Sequence, residues 1–415
     1  MGGNVNRRKE PPMASVAPSE PLVKVAELPG RGRALVTARP IKPGDVLLSD
    51  SSLLLYPATL PSSAAFPFCS HCFRSLRSTA TSSTAFAGGG PLPCPSCASL
   101  SLFCSPRCLS LAMTSSHPSW LCHSLLRLPS LPADLHAPAL FLLAAYNLAA
   151  FSPSDFLRLL SLEGALPAAP EAAALHSFVA SLLPQPFPSG FSPELTAALL
   201  TKDKRNAFGL MEPFREEDAG DRRVRAYGIY PNASFFNHDC LPNACRFDYV
   251  DGDGDRNTDI VVRAIHDIPE GREVCLSYFP VNWSYAERQR RLVEDYGFQC
   301  ECDRCQVEKN WKGDEEVESM EEEEEEEEEG GEGMETLEEE NNEGGDGDGD
   351  FPHAYFFVRY LCDRENCGGT LAPLPPSPHG TLSNVMECNV CGQLRAEDSI
   401  DEHVAEDGDG IMNDE

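Results

Sequence analysis

The stretch GFQCECDRC, residues 297–305, holds three cysteines within six positions: Cys300, Cys302 and Cys305. Three thiolates so close in a chain suit zinc, which takes four ligands in a tetrahedron. The fourth has to come from elsewhere, so this segment must be fastened to a distant part of the chain. Once the other clusters described below are assigned, Cys240, Cys245 and Cys275 remain. Cys275 lies in the alternating run REVCLSY and reads as a packed strand residue. Cys245 is available, and Cys240, in the turn-rich NHDCLPN of residues 237–243, is better placed.

Two further clusters flank this region. Cys69-x2-Cys72, Cys94-x2-Cys97, Cys104-x3-Cys108 and then His117 and Cys122 make four pairs in 54 residues, enough ligands for two zinc ions. His123 and His71 compete with His117, which is preferred because it gives the last pair the His-x4-Cys spacing of a helix. Near the C-terminus, Cys362-x4-Cys367 and Cys388-x2-Cys391, each pair followed by glycine, read as a zinc ribbon holding one metal. Structural zinc contributes about 10–16 kcal/mol in small domains, so strong chelators are expected to unfold this chain.

Seventeen cysteines in 415 residues fit metal sites in a reducing compartment or disulfides in a secreted protein. The polar start MGGNVNRRKEPPMAS favours the first, and an intracellular location, nuclear or cytoplasmic, is expected. The longest apolar run, 137–151, has 15 residues, short of the roughly 20 needed to cross a bilayer, so no membrane partner is expected. The net charge of −32 is concentrated: residues 313–350 hold 22 acidic and no basic residues, leaving −32 + 22 = −10 for the rest. No basic, aromatic-interleaved patch supports sequence-specific nucleic-acid binding.

Read in order, residues 1–21 form a disordered tail and 22–66 begin with short strand patterns. Residues 67–125 form a two-zinc finger, 126–206 a helical insert rich in Leu and Ala, and 207–282 return to strand patterns. A helix through SYAERQRRLVEDYG, capped near Ser284 and ended by Gly297, opens the segment 283–306. An acidic disordered linker (307–350), the ribbon-like module (351–400) and an acidic tail (401–415) complete the chain. The fold class is mainly β with helical insertions, α+β.

The ordered set GRG (30–32), NHDCLPN (237–243), EGREVCLSY (270–278) and GFQCECDRC resembles a SET domain. With the two-zinc module inserted after the first strands, as a MYND finger would be, the chain is similar to the SET–MYND family of protein lysine methyltransferases over about residues 22–306. The resemblance implies small curved sheets with a pseudoknot. It also implies Cys240 as the fourth ligand of the post-SET zinc, and S-adenosylmethionine as the methyl donor. Tyr278 and Tyr296 would be catalytic, one orienting the amine and the other shaping the lysine channel. Gly30, Arg31, Gly32, Asn206, Ser234, Asn237, His238, Tyr278 and Phe298 would bind the donor. Carbonyls around Tyr230, Asn232 and Ser234 would polarise the methyl group.

The expected activity is therefore lysine N-methylation of a protein, with histone tails as the default substrate. The rival expectation is a zinc-rich adaptor whose finger binds proline-rich peptides over an inactive SET core. The longer Cys72–Cys94 loop, and a ribbon where larger members carry a helical-repeat domain, keep the target itself out of reach of the sequence.

Overall fold

The computed structural model describes residues 21–60, 68–76, 90–164, 170–184, 191–213, 223–249, 257–310 and 353–396. The N-terminal tail, most of the Cys72–Cys94 loop, nearly all of the acidic linker and the C-terminal acidic tail lie outside them. Strands β1 (Val23–Leu28) and β2 (Gly32–Thr37) make a hairpin, followed by β3 (Val46–Asp50) and β4 (Leu54–Pro57). The cysteine-rich module contributes a second hairpin, β5 (Leu92–Cys94) and β6 (Ala98–Phe103), then helices α1 (Pro106–Thr114) and α2 (Ser119–Leu125). Four helices follow: α3 (His136–Phe151), α4 (Pro153–Leu160), α5 (Ala172–Ala180) and α6 (Pro193–Asn206).

Strands β7 (Ala207–Met211), β8 (Val224–Ile229), β9 (Asn237–His238), β10 (Ala244–Asp248), β11 (Ile260–Ala264) and β12 (Cys275–Leu276) complete the central part. Then come α7 (Tyr285–Arg291), α8 (Asp303–Glu308) and α9 (Ala354–Tyr360), and the last three strands, β13 (Leu371–Pro373), β14 (Val385–Cys388) and β15 (Leu394–Ala396). The strands form six small sheets, none wider than three strands: β1-β2, β10-β11-β3, β12-β9, β4-β8-β7, β5-β6 and β13-β14-β15. Chain-distant strands share sheets, so the central part closes only when residues 46–57 meet residues 207–264.

Two cores hold this together. One lies between β4, β8 and the helical insert, with Phe141, Leu142, Tyr146, Leu175 and Leu199 at its centre. The other lies among the small sheets, around Leu35, Ile41, Tyr230, Val262 and Val274. A 3₁₀ turn, Ala133–Leu135, leads directly into α3, and together they make a stretch of 19 helical residues, Ala133–Phe151, longer than the apolar run read from the sequence. It meets a membrane helix's length and hydropathy, yet eight of its side chains are buried against the protein's own core. Its near-uniform apolarity is that of a helix packed on most sides.

The ribbon packs onto the central part. Cys245, Phe247 and Ile265 share a core with Tyr360, Leu371, Ala372 and Met386. Arg263, 1% exposed, pairs with Glu387 at 2.8 Å, and Asn389 donates to the Arg246 carbonyl. Gly44 shows how close the contact is. A Cβ there would stand 2.4 Å from the Leu374 carbonyl oxygen, so only glycine fits.

Candidate active site and its metal clusters

The site begins with Asp50, at the end of β3. Its carboxylate, 4% exposed, accepts from the backbone N–H of Asn232 (2.9 Å) and Ala233 (2.8 Å) and from Asn232 Nδ2 (2.8 Å). Those bonds cap the short 3₁₀ turn Ala233–Phe235, within which Ser234 Oγ donates back to the Tyr230 carbonyl at 2.8 Å. The turn delivers Asn237 and His238 into β9, which runs parallel to β12: Asn237 faces Cys275 and His238 faces Leu276. Asn243 locks the pairing, donating to the Glu273 carbonyl and accepting from Cys275 N, both at 2.9 Å.

Gly30 and Gly32 have φ of +73° and +67°, with open space where a Cβ would lie, so the left-handed backbone is what requires glycine. That turn lets Arg31 reach inward. Its Nε lies 2.6 Å from Glu273, and an Nη donates to the His238 carbonyl at 3.0 Å. Asn237 Nδ2 donates to the same Glu273 carboxylate at 2.8 Å and to the Arg31 carbonyl at 3.3 Å. Glu273 therefore ties Arg31 to Asn237.

Tyr278 leaves β12 with its hydroxyl donating to the Phe236 carbonyl at 3.0 Å and its ring 4.8 Å from that of Tyr296. Burial pushes both phenols above their ordinary value, so each stays protonated. Tyr278 N donates to His238 Nδ1 at 3.2 Å, which leaves the imidazole proton on Nε2, 3.3 Å from Cys240 Sγ. Burial holds His238 down to about 3, so the ring is neutral. Phe279 packs on His238 and stacks on Trp283, while Phe298 is 40% exposed at the rim.

The sixteen sequence-predicted ligands gather into four groups, within each of which the ligand atoms lie inside 4.8 Å of one another. They are Cys69, Cys72, Cys104, Cys108; Cys94, Cys97, His117, Cys122; Cys240, Cys300, Cys302, Cys305; and Cys362, Cys367, Cys388, Cys391. A zinc–sulfur bond of about 2.3 Å implies tetrahedral edges of about 3.8 Å between sulfurs. Observed separations are 3.7 Å for Cys72–Cys104, 3.7 Å for Cys94–Cys122, 3.9 Å for Cys240–Cys300 and 3.7 Å for Cys362–Cys391. Disulfides need about 2.05 Å, and all seventeen thiols are free. Burial lowers His117 to about 4, giving the neutral imidazole a metal needs. All four groups therefore fit a zinc ion, two of them interleaved in the 69–122 module.

The 240–305 cluster has a buried polar shell that sequence reading missed. Arg288, 0% exposed, donates to Cys240 Sγ at 3.3 Å and pairs with Glu308. Gln289 donates to Cys305 Sγ at 3.3 Å and exchanges hydrogen bonds with the backbone of Cys300. Arg304 pairs with Glu308 at 2.6 Å and donates to the Trp283 carbonyl at 3.1 Å. Four thiolates on a divalent cation leave two net negative charges, and Arg288 is placed to offset one of them.

Asn206 stands somewhat apart. Both its amide hydrogens are used inside the helical insert, on the carbonyls of Glu163 (2.7 Å) and Lys202 (2.8 Å), so only its oxygen could meet a ligand. Glu273 sat inside a quoted motif but read as a strand position. Asp50, Arg288 and Glu308 carried no local signal at all.

A family model described as the SET domain matches residues 32–279. The chain belongs to the SET domain family. Histone-lysine N-methyltransferase ASHR2 of Arabidopsis thaliana is 53% identical over 406 residues, 92% of this chain and 97% of that one. Histone-lysine N-methyltransferase SMYD3 of Homo sapiens is 33% identical over 94 residues, 22% of this chain and 20% of its own. A solved SET domain of LSMT, bound to lysine and AdoHcy, covers 69% of this chain and 54% of its own, at 15% identity and a TM-score of 0.29. That overlap is too loose to carry any position across. Within the matched span fall β2 through β12 and the site residues from Asp50 to Tyr278, with Arg31 one residue before its start.

Proposed function

We propose that this SET-domain protein is an S-adenosylmethionine-dependent protein lysine N-methyltransferase, with histone tails as its first-choice substrate. The observation that carries the reading is the Tyr278 hydroxyl, fixed on the Phe236 carbonyl beside Tyr296 at the end of the parallel β9–β12 pair. It is supported by the 53% identity to a histone-lysine N-methyltransferase along nearly the whole chain.

S-adenosylmethionine supplies the methyl group on a sulfonium; the lysine nitrogen forms the new N–C bond and the sulfur leaves as a thioether. The nitrogen must first lose a proton. A free lysine, pKa near 10.4, is neutral in only about one molecule in 2,500 at pH 7, and closing that gap takes about 4.6 kcal/mol. Tyr278 and Tyr296, with rings 4.8 Å apart, form an aromatic corner, next to Phe279, that disfavours an ammonium by desolvation. The proton passes to solvent, since His238 is neutral with Nδ1 occupied by Tyr278 N and Nε2 against Cys240. Within this reading Tyr278 orients the amine, and Arg31, Ser234, Asn237, His238, the Asn206 oxygen and Phe298 line the donor's seat.

The two-metal module is MYND-type in this reading, with a proline-rich peptide as its partner class, and the protein works in the nucleus or cytoplasm. Each cluster takes one zinc: two in the module, one at Cys240–Cys305 and one in the ribbon. The test is transfer of labelled methyl into histones and into a nuclear and cytosolic extract, with Tyr278→Phe alongside. Label in one or a few bands, reduced at least a hundredfold in the folded variant, is the expected result. A folded, zinc-loaded protein that transfers no label would return the adaptor reading.

A further inference from the structure

A cavity of about 230 Å³ lies away from this site, where the two-metal module meets the helical insert. Its floor is β4, its apolar walls are Phe73, Leu121, Leu125, Leu140 and Leu143, and Ala144 leaves space on one side. Its polar groups are Ser70, Ser101, Ser116, His71 and His117 from the module, Ser52 just before β4, and Tyr56, whose hydroxyl is spent on Asp203. Among the described residues no Lys, Arg, Asp or Glu lines it.

The polar groups are not equivalent. His71 Nδ1 and Ser116 Oγ satisfy each other at 3.0 Å, and His117 Nε2 faces Cys97 Sγ at 3.4 Å. Ser101 Oγ is buried without a conventional partner, with only the Cys97 sulfur, a weak acceptor, beside it. Ser70 Oγ is buried with no hydrogen-bond partner. A buried hydroxyl left unpaired costs about 1–3 kcal/mol, so such a group inside a cavity marks a place where a ligand atom or a water belongs.

We infer that this cavity is a binding site for a neutral, amphipathic small molecule with an apolar body and one hydroxyl- or amide-type head that pairs with Ser70. Charged heads are disfavoured because nothing in the wall offsets a charge. Size bounds the body. An engineered cavity of about 150 Å³ holds benzene, so one half as large again holds about nine carbon-sized atoms. The site joins three parts of the fold, because β4 pairs with β8 and Asn147 of α3 donates to the Ser115 carbonyl at 2.7 Å. It does not depend on the proposed catalytic reading.

The test uses the zinc-loaded full chain and the straight-chain alcohols from butanol to dodecanol, with binding followed by calorimetry and saturation-transfer NMR. Affinity is expected to rise about fourfold per methylene up to eight or nine carbons and then to stop rising. Ala144→Leu, which puts carbon into the space, should weaken octanol at least tenfold. Ser70→Ala should erase the advantage of octanol over octane while leaving octane binding in place. Affinity that climbs without limit, or is indifferent to Ala144→Leu, means greasy-surface adsorption and overturns the site. A hydroxyl preference that survives Ser70→Ala overturns the head-group assignment. No binding by any chain length means the cavity holds only water, and the proposal falls.

Discussion

Asp50 offers the sharpest test of how the site is held. Replacing it with alanine removes the acceptor of two backbone donors, Asn232 N and Ala233 N, the second fully buried. The third partner, Asn232 Nδ2, belongs to an exposed residue and can turn to water. Two orphaned donors at about 1–3 kcal/mol each give a range of about 2–6 kcal/mol, and about 3 kcal/mol is a central expectation after local relaxation. The loss is local, because those bonds cap only the turn that presents Ser234 and Asn237. Native-state hydrogen exchange at the two amides should therefore accelerate about 10²-fold, and calorimetric binding of S-adenosylhomocysteine should weaken at least tenfold. Asp50→Asn keeps an acceptor oxygen in place and should stay within about threefold of the parent on both measures. Unchanged exchange at Asn232 and Ala233 in the alanine variant would refute the capping argument, whatever happened to activity.

Two further expectations follow from the buried groups. Cys240→Ser should lower zinc content by one ion per chain and abolish S-adenosylhomocysteine binding, checked by metal analysis and calorimetry; full zinc content would place the fourth ligand elsewhere. Asp203, whose carboxylate accepts from the Tyr56 hydroxyl at 2.5 Å, is raised by burial from 3.8 to about 7. Its folded value lies above its unfolded one, so the folded chain holds the extra proton and stability falls as pH rises from about 4 through 7. The full shift implies about 4 kcal/mol, and the side chain's remaining exposure brings the expected loss to about 2 kcal/mol. Asp203→Asn should therefore gain midpoint over the parent between pH 6 and 8, read by denaturant melts, and equal slopes would remove Asp203 as the cause.

What the sequence could and could not disclose divides along the distance of the interaction. The helix after Ser284 was legible because its signals are local: a capping box joins Ser284 to Glu287, and Gly297 ends it at φ +73°. Its last turn, Leu292–Tyr296, widens to a π-helix, which no residue pattern announces; it sets Tyr296 against Tyr278. Cysteine pairs were legible for the same reason, since two or three residues of spacing already fix two sulfurs on one centre. The Asp50 bonds span 182 residues and the Arg31–Glu273 pair spans most of the SET domain, so nothing in the neighbouring letters of either could signal them.

The choice among the three leftover cysteines shows how tertiary structure decides what spacing leaves open. Cys245 sits on β10 with its sulfur turned to the Thr370 carbonyl at 3.6 Å, inside the core shared with the ribbon. Cys275 lies under Arg31, 3.5 Å from its guanidinium. Only Cys240 projects toward residues 300–305, because Asp239 bonds Leu241 N and turns the chain immediately after β9. That turn faces Arg288 and so places a cation against the one thiol that must come from 60 residues away. The closed cluster also lies against the Tyr278–Tyr296 corner. His238 bridges the two, accepting from Tyr278 N on one edge and facing Cys240 on the other. A chain that failed to gather its fourth thiol would lose the Cys240 contact that steadies His238 beneath Tyr278 N.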